Sequence, residues 1–241
     1  MGAKFFGEFM GTLVLILLGN GVVANVSLRH SKAEGAGWTA IAAGWAFAVM
    51  AGSFTATACG SPDSHLNPAM TLGMAIVSGD FSKVLPFLAA QLLGAVAGAI
   101  AVWLHFLPHW KVTEDANLKL ACFSTSPAIP SIGANLLSEI IGTFVLVTVV
   151  GAIFSGKVAA GPVAGLGTVL SAAVIWAIGL SLGGTTGYAI NPARDLGPRI
   201  AHAMLPLGKK AGSNWGYAAI PVVGPLLGAM LAGIFVRAAH F

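Results

Sequence analysis

Charged side chains are scarce in this chain of 241 residues. Asp, Glu, Lys and Arg make up 8% of it, while 56% of the residues are hydrophobic. A soluble domain carries roughly 25% charged residues, so this composition excludes a surface that faces water on all sides. The net charge of +4 is spread over short loops without a basic cluster, which argues against nucleic acid as a partner. The sequence therefore predicts a protein embedded in a lipid bilayer.

Cysteine is also rare. Cys59 and Cys122 are the two cysteines, and they provide neither a disulfide framework nor the ligand spacing of a metal site. No Ser/His/Asp arrangement or His/Glu metal spacing indicates catalysis. The sequence thus predicts no enzyme, no metal and no cofactor.

Long stretches without charge predict membrane-spanning helices. Residues 35–62, 84–110 and 211–236 contain no Asp, Glu, Lys or Arg, and each exceeds the roughly 20 residues that a spanning helix needs. The segment 107–133 holds four charged residues and three prolines, which predicts a connecting loop that lies over one membrane face. We predict six spans, near residues 5–27, 36–58, 84–106, 135–155, 162–182 and 215–237.

The two halves of the sequence repeat each other. GEFMGTLVL at 7–15 matches SEIIGTFVL at 138–146, and QLLGAVAGAI at 91–100 matches PLLGAMLAGI at 225–234. Three spans per half is an odd number, so we expect the second half to be inverted relative to the first, as in many membrane transport proteins. The chain is then a single domain, 1–241, made of repeat one (about 1–106), a connector (about 107–133) and repeat two (about 134–241).

Each half also contains an Asn-Pro-Ala triplet, formed by Asn67, Pro68 and Ala69 and again by Asn191, Pro192 and Ala193. Asn is a favoured N-cap and Pro suits the first helical position, so each triplet predicts the start of a helix. The first helix ends at Gly79, after roughly 16 Å, which is about half of a ~30 Å hydrocarbon core. We expect two half-helices that point their positive ends at each other near the midplane.

Such a site combines amide donors with positive potential. The capping oxygen of each Asn is used by the helix, and its side-chain NH₂ is left to donate elsewhere. A neutral molecule that carries oxygen atoms fits this environment, whereas a cation is repelled.

These motifs resemble the major intrinsic protein family, the aquaporins and glycerol facilitators. The resemblance covers nearly the whole chain, and NPARDLGPR at 191–199 is most similar to the glycerol-conducting branch, in which Asp follows the Arg. It implies an all-α membrane protein with six transmembrane helices plus two re-entrant half-helices. It further implies a homotetramer in the cell membrane with both termini cytoplasmic. Leaving out the second half-helix, this topology places four Lys and Arg residues on the cytoplasmic side and six on the opposite side. That distribution runs against the positive-inside rule.

The resemblance also indicates which residues form the narrowest point of the pore. Arg194, Tyr188 and Gly179 match three selectivity-filter positions, and Trp45 corresponds to the fourth. Arg194 would donate to solute hydroxyls, Trp45 and Tyr188 would form an apolar corner, and Gly179 would leave room where strict water channels have His. His65 is a candidate for the pore vestibule, with helix capping as the alternative.

Three carboxylates are expected to support this structure. Glu8 and Glu139 occupy matching places in the two repeats, which favours buried acceptors that brace the half-helix loops over a proton relay. Asp195 is a third structural candidate. The chain departs from the family pattern at CGSPDSHLNP, which is longer and places Asp63 near the inner mouth, and at Tyr188, where glycerol channels commonly have Phe.

The sequence therefore predicts a passive channel for small uncharged solutes, foremost glycerol and related polyols with some water. A water-selective channel stays open as an alternative, because the hydroxyl of Tyr188 would affect the width of the pore. A channel mainly for protonated lactic acid, dihydroxyacetone, urea or hydrogen peroxide also stays open. A proton-coupled transporter is less favoured, since it needs a titrating carboxylate on the pathway.

Overall fold

The computed structural model describes residues 1–158 and 163–241, and within these ranges it consists of helices without strands. The predicted start of the fifth span at residue 162 lies outside the described residues. The helices are α1 Gly2–Ser27, α2 Trp38–Ala58, α3 Pro68–Ser78, α4 Val84–His105, α5 Leu107–Val112, α6 Ala116–Ala121, α7 Ile132–Phe154, α8 Leu166–Leu182, α9 Pro192–Met204 and α10 Ile220–Ala239, with a 3₁₀ turn at Trp215–Tyr217.

Five helical segments of the described chain are long and apolar enough to cross a membrane: α1, α2, α4, α7 and a segment that contains α10. The remaining predicted span corresponds to α8, an apolar helix of 17 residues. Helices α3 and α9, with 11 and 13 residues, are the two predicted half-helices. The all-helical arrangement predicted from the sequence is therefore confirmed.

The half-helices begin as the Asn-Pro-Ala triplets predict. Asn67 has an extended backbone, and its Oδ1 accepts a hydrogen bond from the backbone N–H of Ala69 at 2.8 Å. The Oδ1 of Asn191 accepts from the N–H of Ala193 at 3.0 Å. Pro68 and Pro192 occupy the first helical position, where the missing N–H needs no partner.

Each half-helix packs mainly against the opposite half of the chain. α3 lies mostly on α10, the last helix, and α9 lies mostly on α4. The spanning helices within each half approach backbone to backbone, because a Cβ on Gly94 would overlap the carbonyl oxygen of Phe9 and a Cβ on Gly228 that of Ile140. Small residues allow this close contact between membrane helices.

The connector differs from the plain surface loop that the sequence predicts. It contains α5 and α6, and the segment after α6 enters the bundle, where Phe123 and Thr125 are buried. Lys119 is buried as well, and its Nζ donates to the backbone carbonyls of Leu207 and Lys209, at 2.9 Å each. The prediction failed here because the charge of Lys119 indicated solvent, whereas backbone carbonyls of a distant segment satisfy its ammonium group.

Candidate functional site

Two short loops lead into the half-helices, and a buried glutamate binds each of them. The carboxylate of Glu8 accepts hydrogen bonds from the backbone N–H groups of His65 and Leu66, at 2.9 and 2.8 Å. The carboxylate of Glu139 accepts from Ala189 and Ile190, at 2.9 and 2.8 Å. Both glutamates are 0% exposed, so each carboxylate is committed to the loop that precedes a half-helix.

These loops have an unusual backbone. Ser64 and Leu66 in the first loop, and Tyr188 and Ile190 in the second, have φ values between +37° and +51°. The left-handed region is uncommon for residues other than glycine and costs of order 1–3 kcal/mol each. The hydrogen bonds to the two glutamates hold the loops in this conformation.

The two asparagines connect the halves at the centre of the molecule. The Nδ2 of Asn67 donates to the carbonyl of Ile190, and the Nδ2 of Asn191 donates to the carbonyl of Leu66, at 2.8 Å each. The sequence predicts that each amide is left to donate elsewhere, and one hydrogen of each is donated to the opposite loop. An amide NH₂ carries two hydrogens, so each asparagine has a second donor besides this bond.

Two cavities enter the bundle from opposite ends. The first, the Asp63 cavity, has a volume of about 760 Å³ and is also lined by His65, Asn67 and Asn191. The second, the Asn135 cavity, has a volume of about 1070 Å³ and is lined by residues of the connector and of the segment before α10. The residues that line both cavities are Trp45, Tyr188 and Arg194. The structure thus brings three of the four predicted filter residues together at the boundary between the cavities.

Arg194 and Trp45 form one side of this boundary. The guanidinium carbon of Arg194 lies 4.0 Å from the centroid of the Trp45 ring, a favourable cation–π geometry. Its Nη1 donates to the carbonyl of Phe123, at 3.3 Å. The Trp45 ring lies against Gly19, where a Cβ would overlap it. A cationic donor group and an aromatic surface therefore lie side by side.

Gly179 does not line either cavity. The ring of Tyr188 occupies the space beside it, since a Cβ on Gly179 would lie 2.9 Å from the Cζ and 3.0 Å from the Oη of that ring. The sequence predicts that Gly179 leaves room at the narrowest point, and in the structure the ring of Tyr188 occupies that room. The missing side chain of Gly179 makes room for the tyrosine ring, and Tyr188, unlike Gly179, lines both cavities.

A buried ionic network holds the second half-helix in place. Asp195 and Arg199 are both fully buried, and Oδ1 of Asp195 accepts from Nε of Arg199 at 2.8 Å. Oδ2 of Asp195 accepts from the N–H and the hydroxyl of Thr125, at 2.7 Å each. Asp195 is among the residues expected from the sequence, but Arg199 is not, although their spacing of four residues on a helix is that of an ion pair.

Asp63 lies at the mouth of its cavity between two lysines. Its carboxylate is 2.8 Å from the Nζ of Lys4 and 3.0 Å from that of Lys83. Burial alone would raise the pKa of Asp63, but the hydrogen bonds from the two lysines outweigh it and hold the pKa below its ordinary value. His65, deeper in the cavity, has its Nδ1 3.2 Å from the hydroxyl of Thr71. The described residues contain no group of three His, Cys, Asp or Glu placed to hold a metal ion.

The chain is similar to known proteins over nearly its whole length. The family model "Major intrinsic protein" matches residues 2–236. The chain is 52% identical over 236 residues to glycerol uptake facilitator protein 3 of Lactiplantibacillus plantarum, covering 97% of this chain and 95% of that protein. It is 50% identical over 237 residues to the glycerol uptake facilitator protein of Bacillus subtilis, covering 98% and 84%. The X-ray structure of the aquaglyceroporin from Plasmodium falciparum superposes with a TM-score of 0.83 at 27% identity, covering 98% of this chain and 95% of that one.

Proposed function

Because this chain belongs to the major intrinsic protein family, we propose that it is a passive channel through which glycerol and related small polyols cross the membrane, together with some water. The observation that carries the proposal is the meeting of two cavities at Trp45, Tyr188 and Arg194. The similarity to two bacterial glycerol uptake facilitators supports the choice of solute.

The chemistry of the boundary suits a polyol. Glycerol has a carbon chain along one edge and hydroxyl groups along the other. The rings of Trp45 and Tyr188 offer an apolar surface to the carbon edge. Arg194 and the spare amide hydrogens of Asn67 and Asn191 donate to the hydroxyls. The permanent charge of Arg194, together with the positive ends of the two half-helices, opposes the entry of cations.

A proton-coupled mechanism has little support in the geometry. Glu8 and Glu139 line neither cavity, and both carboxylates accept several hydrogen bonds from the protein. A carboxylate that must exchange protons with the pathway needs contact with it. Solute flux is therefore expected to follow the concentration gradient alone.

The proposal is tested by stopped-flow light scattering on proteoliposomes. We expect glycerol to re-swell vesicles that contain the protein much faster than empty vesicles, with no effect of a pH gradient on the final glycerol concentration. Water and acidified lactic acid are measured in the same preparation. Glycerol flux at the rate of empty vesicles would contradict the proposal, and water flux without glycerol flux would indicate a water channel. Accumulation of glycerol driven by a pH gradient would indicate a coupled transporter.

We also propose a homotetramer in the cell membrane, with one pore per subunit and both termini in the cytoplasm. Two observations support one common side for the termini, since Lys4 binds Asp63 and Phe241 lines the Asp63 cavity. Native mass spectrometry should give four times the 24.3 kDa of one chain. Epitope tags at both ends should be protected from protease in intact cells, and a cleaved tag would contradict the proposed orientation.

A further inference from the structure

The ring of Tyr188 lies in a slot at the C-terminal end of α8. Gly179 and Gly183, one helical turn apart, form the floor of this slot. A Cβ on Gly183 would lie 2.6 Å from the Cδ1 of Tyr188, much as one on Gly179 would lie 2.9 Å from its Cζ. Real Cβ atoms do not approach other atoms so closely, so the slot exists only because both residues are glycine.

Trp38, at the start of α2, forms the outer wall of the slot. Its ring meets the Tyr188 ring edge to face, with centroids 5.8 Å apart at an angle of 75°. Its Nε1 donates to the backbone carbonyl of Gly179 at 2.9 Å, which fixes the indole to α8. Trp38 lines the Asn135 cavity but not the Asp63 cavity, so it contacts the filter only from the outer side.

Shape alone holds the tyrosine side chain in the slot. Within the part of the chain that the structure describes, the buried hydroxyl of Tyr188 has no hydrogen-bond partner. Its backbone is in the left-handed region, with φ of +37°. No polar contact of the side chain therefore fixes the angle of the ring, which packs on Gly179 and Gly183 at the floor of the slot and on Trp38 at its wall.

We infer that Trp38 is a positioning residue that sets the size limit of the filter through Tyr188. The inference rests on the proposed function of the channel. With Trp38 in place, the ring stays at one angle and one width of passage is available. Without it, the ring moves into the space of the lost indole, and the passage becomes wider for solutes larger than glycerol.

Polyol selectivity tests the inference. Trp38→Ala should raise the ratio of erythritol to glycerol permeability about fivefold, the population change expected when one aromatic edge contact is lost. Trp176→Ala is the matched control, because Trp176 is 39% exposed against 40% for Trp38 and contacts Phe47 rather than the filter. If Trp38→Ala does not fold, Trp38→Phe keeps an aromatic edge without the N–H and should give a smaller rise.

A double variant separates positioning from general loosening. In a Tyr188→Ala background, Trp38→Ala should leave the erythritol to glycerol ratio unchanged, because the residue through which it acts is gone. An equal rise in both backgrounds would overturn the inference, as would an unchanged ratio in folded Trp38→Ala.

Fluorine NMR gives a readout that does not depend on conduction. The chain has two tyrosines, so fluorotyrosine labelling yields two resonances, from Tyr188 and Tyr217, which Tyr217→Phe assigns. Trp38→Ala should shift or broaden the Tyr188 signal and leave that of Tyr217 in place. An unchanged Tyr188 signal would overturn the inference even if the wild type conducts glycerol. A changed signal in a protein without glycerol flux would count against the proposed function alone.

Discussion

Glycerol permeability through a Gly179→His variant should fall far more than water permeability. The Tyr188 ring occupies the space into which the new side chain must go, since even a Cβ would lie 2.9 Å from it and 3.2 Å from the Cβ of Ala42. The ring is therefore driven toward Trp45 and Arg194. If crowding adds about 1–3 kcal/mol to the barrier for glycerol, its flux falls about ten- to hundredfold, while the smaller water molecule still passes.

Stopped-flow measurement of both fluxes on one preparation checks this expectation. Gly184→His is the matched control, because it makes the same substitution five residues away, where a Cβ would meet nothing within 4 Å. The control should conduct both solutes like the wild type. An equal fall of glycerol and water flux in folded Gly179→His would contradict the assignment of the Tyr188 ring as the wall of the filter.

Asp195→Asn should produce the largest loss of stability. The substitution keeps the size of the side chain but removes the charge that neutralises Arg199, which is 0% exposed. It also turns an NH₂ group toward one of the donors on Arg199 or Thr125. Breaking a buried pair in this way costs about 3–5 kcal/mol, which corresponds to a fall in Tm of about 10 °C for a chain of this size.

Asp63→Asn provides the comparison, since Asp63 also pairs with cationic side chains, those of Lys4 and Lys83. Its side chain is 23% exposed, and its lysine partners are 31% and 35% exposed, so water screens the pairs. Exposed ion pairs contribute about 0–1 kcal/mol, and the Tm of this variant should stay within a few degrees of the wild type. Both are measured by thermal unfolding in detergent. Equal shifts for the two variants would contradict the burial argument.

The sequence predicted the features that depend on local chemistry or on the repeat. An Asn followed by Pro has the same capping preference in any protein, so both half-helices were predicted with the correct first residues. Glu8 and Glu139 were found because they occupy matching positions in the two repeats, and both indeed accept hydrogen bonds from loop N–H groups.

Other features depend on contacts between distant segments and leave little trace in the sequence. The partner of Arg194 is the backbone carbonyl of Phe123, a group that every residue has, so no residue type at that position predicts it. The four-residue spacing of Gly179 and Gly183 is typical of a close helix–helix contact, but the space beside them receives side chains from α2 and from the loop before α9. A small residue leaves space for either a neighbouring helix backbone or a distant side chain, and only the fold decides which of the two fills it.

Each half-helix packs on a spanning helix of the opposite half, and this delays the contacts of α3 during synthesis. Helix α3 is made early, but its main neighbour is α10, the last helix of the chain. At ~5–20 residues per second, the ribosome needs on the order of ten seconds to reach α10 after finishing α3. The carbonyl of Ile190, to which Asn67 donates, is also made during that interval. Helix α3 therefore lacks its main packing partner until α10 has been synthesised. The structure around α3 is completed only at the end of synthesis.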